Sequence, residues 1–244
     1  MNFWTSWPEH LLADVSLWSA DLAAPGAEVK RMEPYADLFH LDVADAHFVP
    51  GLLFFPDLIA ALRPWTDVPF HVHLMTEHPA SHVSAFAEAG ANLITVHYEN
   101  GAEAFMAIEQ IHRRGLAAGL ALQLETPPEV IVPYLDEVQL ILLMGTQLGV
   151  KGQSLDPNTY TREQTVRQMI RDSGYEGRVK IGIDGGIREQ TVPFLRNAGA
   201  DLVVPGSLAF KSDHLDQTFQ WLHALPHAEC GAEHHWLCDT PETC

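Results

Sequence analysis

From about residue 12 to residue 224, short apolar runs alternate with longer, polar-faced segments, and this alternation limits the possible folds more than any other feature. The runs are Leu12–Leu17, Leu38–Val43, Val68–Leu74, Leu93–Val96, Ala117–Leu122, Leu140–Met144, Val179–Ile183 and Leu202–Val204. Each is short, apolar and often β-branched, as a strand buried on both faces should be. Helical spacing marks His82–Ala89, Ala102–Arg114, Glu163–Asp172, Glu189–Ala198 and His214–Leu225. Eight strands alternating with helices over about 200 residues predict an α/β fold, a closed (β/α)8 TIM barrel. A doubly wound open sheet is the alternative. No Gly-x-Gly-x-x-Gly turn follows the first strand, and ionisable residues end several different strands, both of which favour closure. The repeat recurs in Glu88-Ala-Gly-Ala91 and Asn197-Ala-Gly-Ala200, where a glycine ends a helix and the next strand starts directly. Nothing divides the body of the chain, so residues 1–225 read as one barrel domain and 226–244 as a flexible tail.

Charge excludes some classes of partner. Against 14 Lys and Arg stand 32 Asp and Glu, a net charge of −18. Neither nucleic acid nor an anionic membrane surface suits such a chain. A small phosphate still does, if backbone N–H groups build its site. No run reaches the ~18–20 apolar residues of a spanning helix. Met1–Val15 carries no Lys or Arg, so it lacks the basic start of a signal peptide, and a cytoplasmic protein is the expectation. Cys230, Cys238 and Cys244 all lie near the C-terminus, which leaves the main body without disulfides. Cys230, His234, His235 and Cys238 are residue types that bind zinc, but their spacing matches no established finger. Chance co-occurrence in a tail is the preferred reading.

The chemistry concentrates at strand ends. His40 and Asp42 are two residues apart and therefore share one face of the second strand. A buried structural ion pair would explain these two alone. His73 ends the third strand and Asp184 the seventh, however, and two imidazoles with two carboxylates at one mouth suit a divalent cation with positions left open for substrate. His71, one layer deeper, reads best as a neutral core histidine, and His97 as lining the pocket. Met75 and Met144 end the third and sixth strands as core packing or as an apolar wall beside the site. Asp184-Gly185-Gly186 and Pro205-Gly206-Ser207 offer backbone for an anion, the second at the start of the last helix. Gly149-Val-Lys151-Gly152-Gln-Ser154 has the composition of a lid.

These residues carry a family resemblance. Ser16-Leu-Trp-Ser-Ala-Asp21, His40-Leu-Asp-Val-Ala-Asp-Ala-His-Phe-Val-Pro50, Val72-His-Leu-Met75, Leu142-Leu-Met144, Gly152-Gln-Ser154, Ile183-Asp-Gly-Gly186 and Pro205-Gly-Ser207 closely resemble ribulose-phosphate 3-epimerase, in register from about residue 12 to 211. The resemblance implies a barrel of the ribulose-phosphate-binding type and a small-molecule ligand, a phosphorylated ketose. It implies one divalent metal ion (Zn, Fe, Mn or Co) on His40, Asp42, His73 and Asp184, with Asp42 and Asp184 as the catalytic acid/base pair. Ser16, His73, Met75, Met144, Gly149 and Lys151 would line the substrate site, and the phosphate would rest on backbone around Gly152, Gly185, Gly186, Gly206 and Ser207. A homo-oligomer is also implied. Inverting a carbon beside a ketone requires a proton to leave one face and another to arrive on the opposite face, so two carboxylates and a cis-enediolate fit the residue types. The default substrate is D-ribulose 5-phosphate. Alternatives are an epimerase or aldose–ketose isomerase acting on another sugar phosphate such as allulose 6-phosphate, or a non-catalytic sugar-phosphate-binding protein.

Four departures bear on the substrate. The family usually has Met at Ala44, Gly at Ala46, Asp at His71, and Asn-Pro-Gly-Phe-Gly-Gly where this chain has Gln147-Leu-Gly-Val-Lys-Gly152. Ala44 is expected to enlarge the pocket, and Lys151 to place a cation in a loop that otherwise meets substrate through backbone.

Overall fold

The computed structural model describes residues 7–227. Eight parallel strands close on themselves in sequence order. They are β1 (Leu12–Ser16), β2 (Leu38–Ala44), β3 (Phe70–Met75), β4 (Leu93–His97), β5 (Ala117–Leu122), β6 (Leu140–Met144), β7 (Lys180–Asp184) and β8 (Leu202–Val204). The open-sheet alternative is thereby removed: β8 pairs back onto β1 through Leu12 with Leu202 and Ala13 with Val203. Around the barrel lie α1 (Pro25–Met32), α2 (Pro56–Leu62), α3 (Val83–Glu88), α4 (Ala102–Arg113), α5 (Thr159–Asp172), α6 (Val192–Ala198), α7 (Ser207–Phe210) and α8 (Leu215–His223). No helix among the described residues is long and apolar enough to cross a membrane. Most of the expected tail, including Cys230, His234, His235 and Cys238, lies outside the described residues.

Several boundaries differ from the sequence reading for local reasons. Leu17 leaves the first strand and opens a 3-10 turn, Leu17–Ser19. Between β5 and β6, where the sequence reading names no helix, the chain forms a 3-10 segment, Pro128–Tyr134. Pro127, Pro128 and Pro133 remove backbone donors there, so an i to i−4 ladder does not form. The final helix expected from His214 is α8, and the Gly206-Ser207 turn opens the separate, single-turn α7.

Two apolar layers hold the barrel. The larger lies between strands and helices, from Leu11, Val15 and Phe39 through to Phe219 and Leu222. The smaller fills the barrel interior with Leu12, Leu38, Leu93, Ala117, Ala121, Leu140, Leu142, Leu202 and Val204. Alternation along the strands then divides the interior unequally. On β1 to β4 the inward positions above that floor are Asp14, Ser16, His40, Asp42, His71, His73, Thr95 and His97, all buried. On β5, β6 and β8 they stay apolar. One half of the barrel is thus a polar column and the other its dry wall.

Candidate metal and substrate site

Each member of the polar column is placed by strand register. Asp42 lies beside His73 across the β2–β3 ladder, and Met144 beside Asp184 across β6–β7. At the C-terminal mouth, one donor atom from each of His40, Asp42, His73 and Asp184 lies within 4.8 Å of the others. His40 Nε2 is 3.3 Å from Asp42 Oδ1 and 3.7 Å from Asp184 Oδ2. His73 Nδ1 is 3.4 Å and 3.5 Å from the same two atoms, and 3.3 Å from His40 Nε2. Four donors about 2.0–2.1 Å from a common zinc-class ion stand roughly 3.3–3.4 Å apart in tetrahedral geometry. The donor set therefore fits a divalent ion in both chemistry and spacing.

The far sides of both imidazoles are also specified. A carboxylate only accepts, so His40 Nδ1–H donates to Asp14 Oδ2 at 2.8 Å and Nε2 is the atom turned to the site. His97 Nδ1–H donates to Glu99 Oε2 at 3.1 Å, and its Nε2 faces His73 Nε2 at 2.8 Å. His97 Nε2 is then the acceptor and His73 Nε2–H the donor, which leaves the His73 Nδ1 lone pair facing Asp42 and Asp184. Glu99 is itself held by the Gln123 backbone N–H, at 2.9 Å, and by the Thr126 hydroxyl. Such outer partners fix tautomer and ring orientation and raise the basicity of a ligating imidazole.

The electrostatics follow from this arrangement. Burial works against a charge on His40, but Asp14 and Asp42 outweigh it and hold the ring well above its usual range. Burial would likewise raise Asp42, yet His40 and His73 hold it well below the usual carboxylate range. For His97 burial wins over Glu99, and the ring is pushed down to about 4 and stays neutral. His71 is lowered by burial in spite of Asp14. Its Nδ1–H donates to Asp14 Oδ2 at 2.5 Å, and its Nε2 accepts from the Thr95 hydroxyl at 2.7 Å. Asp14 thus bridges His40 and the residue that stands in place of the family's aspartate.

Above the four side chains opens a cavity of ≈ 330 Å³. Ser16, Met75, Met144, Gly149, Lys151, Gly152, Gly185, Gly186, Gly206 and Ser207 all line it, with Asp42 and Asp184 at its floor. Ser16 Oγ–H donates to Asp42 Oδ2 at 2.9 Å. His73 lies beneath the floor and outside the lining. His97 does not line the cavity either, because it packs behind His73 as its hydrogen-bond partner. Gly186 has φ +72°, and a Cβ there would come within 2.6 Å of Leu155 Cα, so only glycine lets the two loops meet.

The departures have physical explanations. Ala44 does not border the cavity. Val49, Met75, Met144 and Leu148 pack with Ala44 in an apolar cluster, and it borders instead a separate, largely apolar cavity of ≈ 570 Å³ together with Leu53 and Phe54. Ala46 takes φ +61°, a conformation that costs a side-chain-bearing residue about 1–2 kcal/mol relative to glycine. Lys151 Nζ donates to the Trp18 carbonyl at 2.5 Å and lies 4.6 Å from the centre of the Trp18 ring. It ties the sixth loop across the mouth to the loop after β1. Gly145 O accepts from Asp156 N–H at 2.8 Å and pinches the ends of that sixth loop together.

Sequence reasoning passed over Asp14, Glu99, Trp18, Arg188 and Lys211. Arg188 and Lys211 line the cavity with Lys151, and among the described residues none of the three forms a carboxylate ion pair. In a chain of net charge −18, three such cations around one cavity favour an anionic ligand.

Comparison with known proteins is consistent with this geometry. Residues 12–210 match the model of the ribulose-phosphate 3 epimerase family. The chain is 39% identical over 196 residues to ribulose-phosphate 3-epimerase of Bacillus subtilis, covering 80% of this chain and 90% of the relative. It is 40% identical over 202 residues to the Chlamydia muridarum protein of that name, covering 82% and 89%. Among solved structures, orotidine 5'-phosphate decarboxylase from Pyrococcus horikoshii superposes with a TM-score of 0.61 at 14% identity, covering 86% of this chain and 96% of that one. That last likeness concerns the barrel alone.

Proposed function

The chain belongs to the ribulose-phosphate 3-epimerase family and is an isomerase, and on that premise we propose that it inverts C3 of a ketose phosphate, D-ribulose 5-phosphate by default, with Asp42 and Asp184 as the acid/base pair. The observation that carries this reading is the convergence of His40, Asp42, His73 and Asp184 at the floor of a cavity lined by glycine backbone and cations. One carboxylate takes the C3 proton and the other returns a proton to the opposite face, because a single base does not reach both. His40, Asp42, His73 and Asp184 would hold a divalent ion, which when bound would supply positive charge to offset the negative charge of the enediolate. Ser16 Oγ–H holds Asp42 Oδ2 in place. Met75 and Met144 form an apolar wall that keeps water from protonating the intermediate. The phosphate rests against backbone at Gly152, Gly185, Gly186, Gly206 and Ser207, with Lys151, Arg188 and Lys211 adding charge.

The test is isotope exchange. Metal-loaded protein is incubated in deuterated water with D-ribulose 5-phosphate and, separately, with D-allulose 6-phosphate. Deuterium is expected at C3 of the first. Label at C1 alone would indicate an aldose–ketose isomerase, and no label in either sugar would remove the acid/base assignment.

Asp14 is assigned as a positioning residue for His40. Asp14→Asn exchanges an acceptor-only group for an amide that also donates, so His40 loses its fixed tautomer. Metal affinity, measured by competition with a chromophoric chelator, is expected to fall about 10–100-fold, as for other outer-shell partners of ligating histidines. An unchanged affinity would reduce Asp14 to a packing role.

A further inference from the structure

The N-terminal face of the barrel, opposite the mouth, gathers a second set of metal-ligating side chains. His10 lies two residues before β1, Asp37 immediately before β2, and His223 is the last residue of α8. His10 Nε2 stands 3.0 Å from Asp37 Oδ1, and His223 Nε2 stands 3.1 Å from Asp37 Oδ2. One donor atom from each residue lies within 4.8 Å of the other two, and the imidazole centroids are 4.5 Å apart. The Ala13 backbone N–H donates to Asp37 Oδ2 at 2.8 Å and fixes the carboxylate plane.

We propose that His10, Asp37 and His223 form a second, structural site for a zinc-class divalent ion. Two imidazoles and one carboxylate are a donor set that zinc and its neighbours prefer over calcium or magnesium. At 3.0 and 3.1 Å the two imidazoles hydrogen-bond to the two Asp37 oxygens, and these contacts hold three donor atoms within 4.8 Å of one another, close enough for a small adjustment to bring them onto one ion. An ordinary surface ion pair differs in construction. Lys30–Glu33 and Arg31–Glu28 join long side chains three residues apart on one helix. Here, short side chains reach the two oxygens of one carboxylate from positions 27 and 186 residues distant from Asp37. Such pre-organisation is what a chelate needs. Side-chain exposures of 35%, 16% and 30% leave one side open for entry and for water to complete the coordination shell.

The consequence is mechanical. An ion at this point joins the first strand, the second strand and the final helix, and so staples the first and last elements of the barrel. Because it binds the folded chain, it raises stability by mass action without touching the mouth.

The experiment counts ions on the full chain. Metal-stripped protein is dialysed against Zn²⁺ and its zinc content is measured. Two ions per chain are expected in the parent, falling to one in His223→Gln and in His10→Gln. Glutamine keeps a hydrogen bond to Asp37 while removing the strong ligand, and both variants are expected to retain isotope exchange. His73→Asn, which damages only the mouth, is expected to keep one ion and to gain melting temperature on adding Zn²⁺. His73→Asn/His223→Gln is expected to show no such gain. Two ions remaining in both glutamine variants, or a single ion in the parent that disappears in His73→Asn, would overturn the proposal. Zinc counts and melting temperatures are read without turnover, so they stand apart from the fate of the epimerase assignment.

Discussion

Asp184→Asn is expected to lower turnover about 10²–10⁴-fold, roughly 3–5 kcal/mol of transition-state stabilisation, with the barrel intact. Asp184 ends β7 at the floor of the cavity, and its side chain retains 17% exposure. Its backbone carbonyl, which accepts from Gly145 N–H at 2.6 Å, is unaffected by the substitution. An amide has no basic oxygen able to carry a proton to or from carbon, so isotope exchange at C3 is lost together with net epimerisation. Asp42→Asn is expected to behave alike, because the reaction needs one carboxylate on each face of the reacting carbon. Asparagine is also a poorer metal ligand. Zinc content measured beside turnover separates the two causes: a variant that keeps its ion and still fails to exchange has lost the proton carrier. Near-normal turnover in either variant would end the two-carboxylate mechanism.

Much of this site is legible in the sequence because two periodicities act together. Side chains alternate along a strand, so His40 and Asp42 must share a face, and a closed parallel barrel sends every strand's C-terminal end to one mouth. His73 and Asp184 then join them without any knowledge of contacts. The same rule reaches Asp14, two residues before Ser16 on β1, but not Glu99, which lies past the end of β4 in the 3-10 turn Tyr98–Asn100. Neither was singled out, because a carboxylate becomes informative only once its partner is known, and Asp14 meets His40 from 26 residues away. Loop residues obey no such periodicity. Lys151 finds the Trp18 carbonyl across 133 residues, and Arg188 and Lys211 reach the cavity through turns whose geometry depends on tertiary contacts. His97 illustrates the converse limit. Its place at a strand end is readable, but its orientation toward His73 rests on hydrogen bonds to His73 and Glu99 that the sequence does not show. The helices show the same division. The apolar spacing of α4 is plain, whereas the proline-bearing stretch 128–134 shows no such spacing and forms a 3-10 segment.

Exhaustive chelation is expected to abolish turnover while leaving the barrel folded, with activity restored by adding back a divalent ion. The fold does not depend on the mouth, because the apolar layers on both sides of the strands are complete without it. Stripped of an ion, the four side chains still balance one another. His40 and His73 are both held above their usual range, His40 by Asp14 and Asp42 and His73 by Asp184 and Asp42, in each case against the effect of burial. In the ion-free site a proton on either ring is therefore favoured beyond its ordinary value. Ion and proton compete, and since the folded pKa values are raised, the proton gains as pH falls. Metal affinity is accordingly expected to weaken on acidification, with proton release on binding visible as a buffer-dependent heat in titration calorimetry. The dependence runs in this direction because both ligating rings are raised; lowered rings would give an affinity flat across neutral pH. Full activity after chelation, confirmed by elemental analysis of the stripped protein, would mean that Asp42 and Asp184 work without an ion, and His40 and His73 would then serve as hydrogen-bond donors to the two carboxylates.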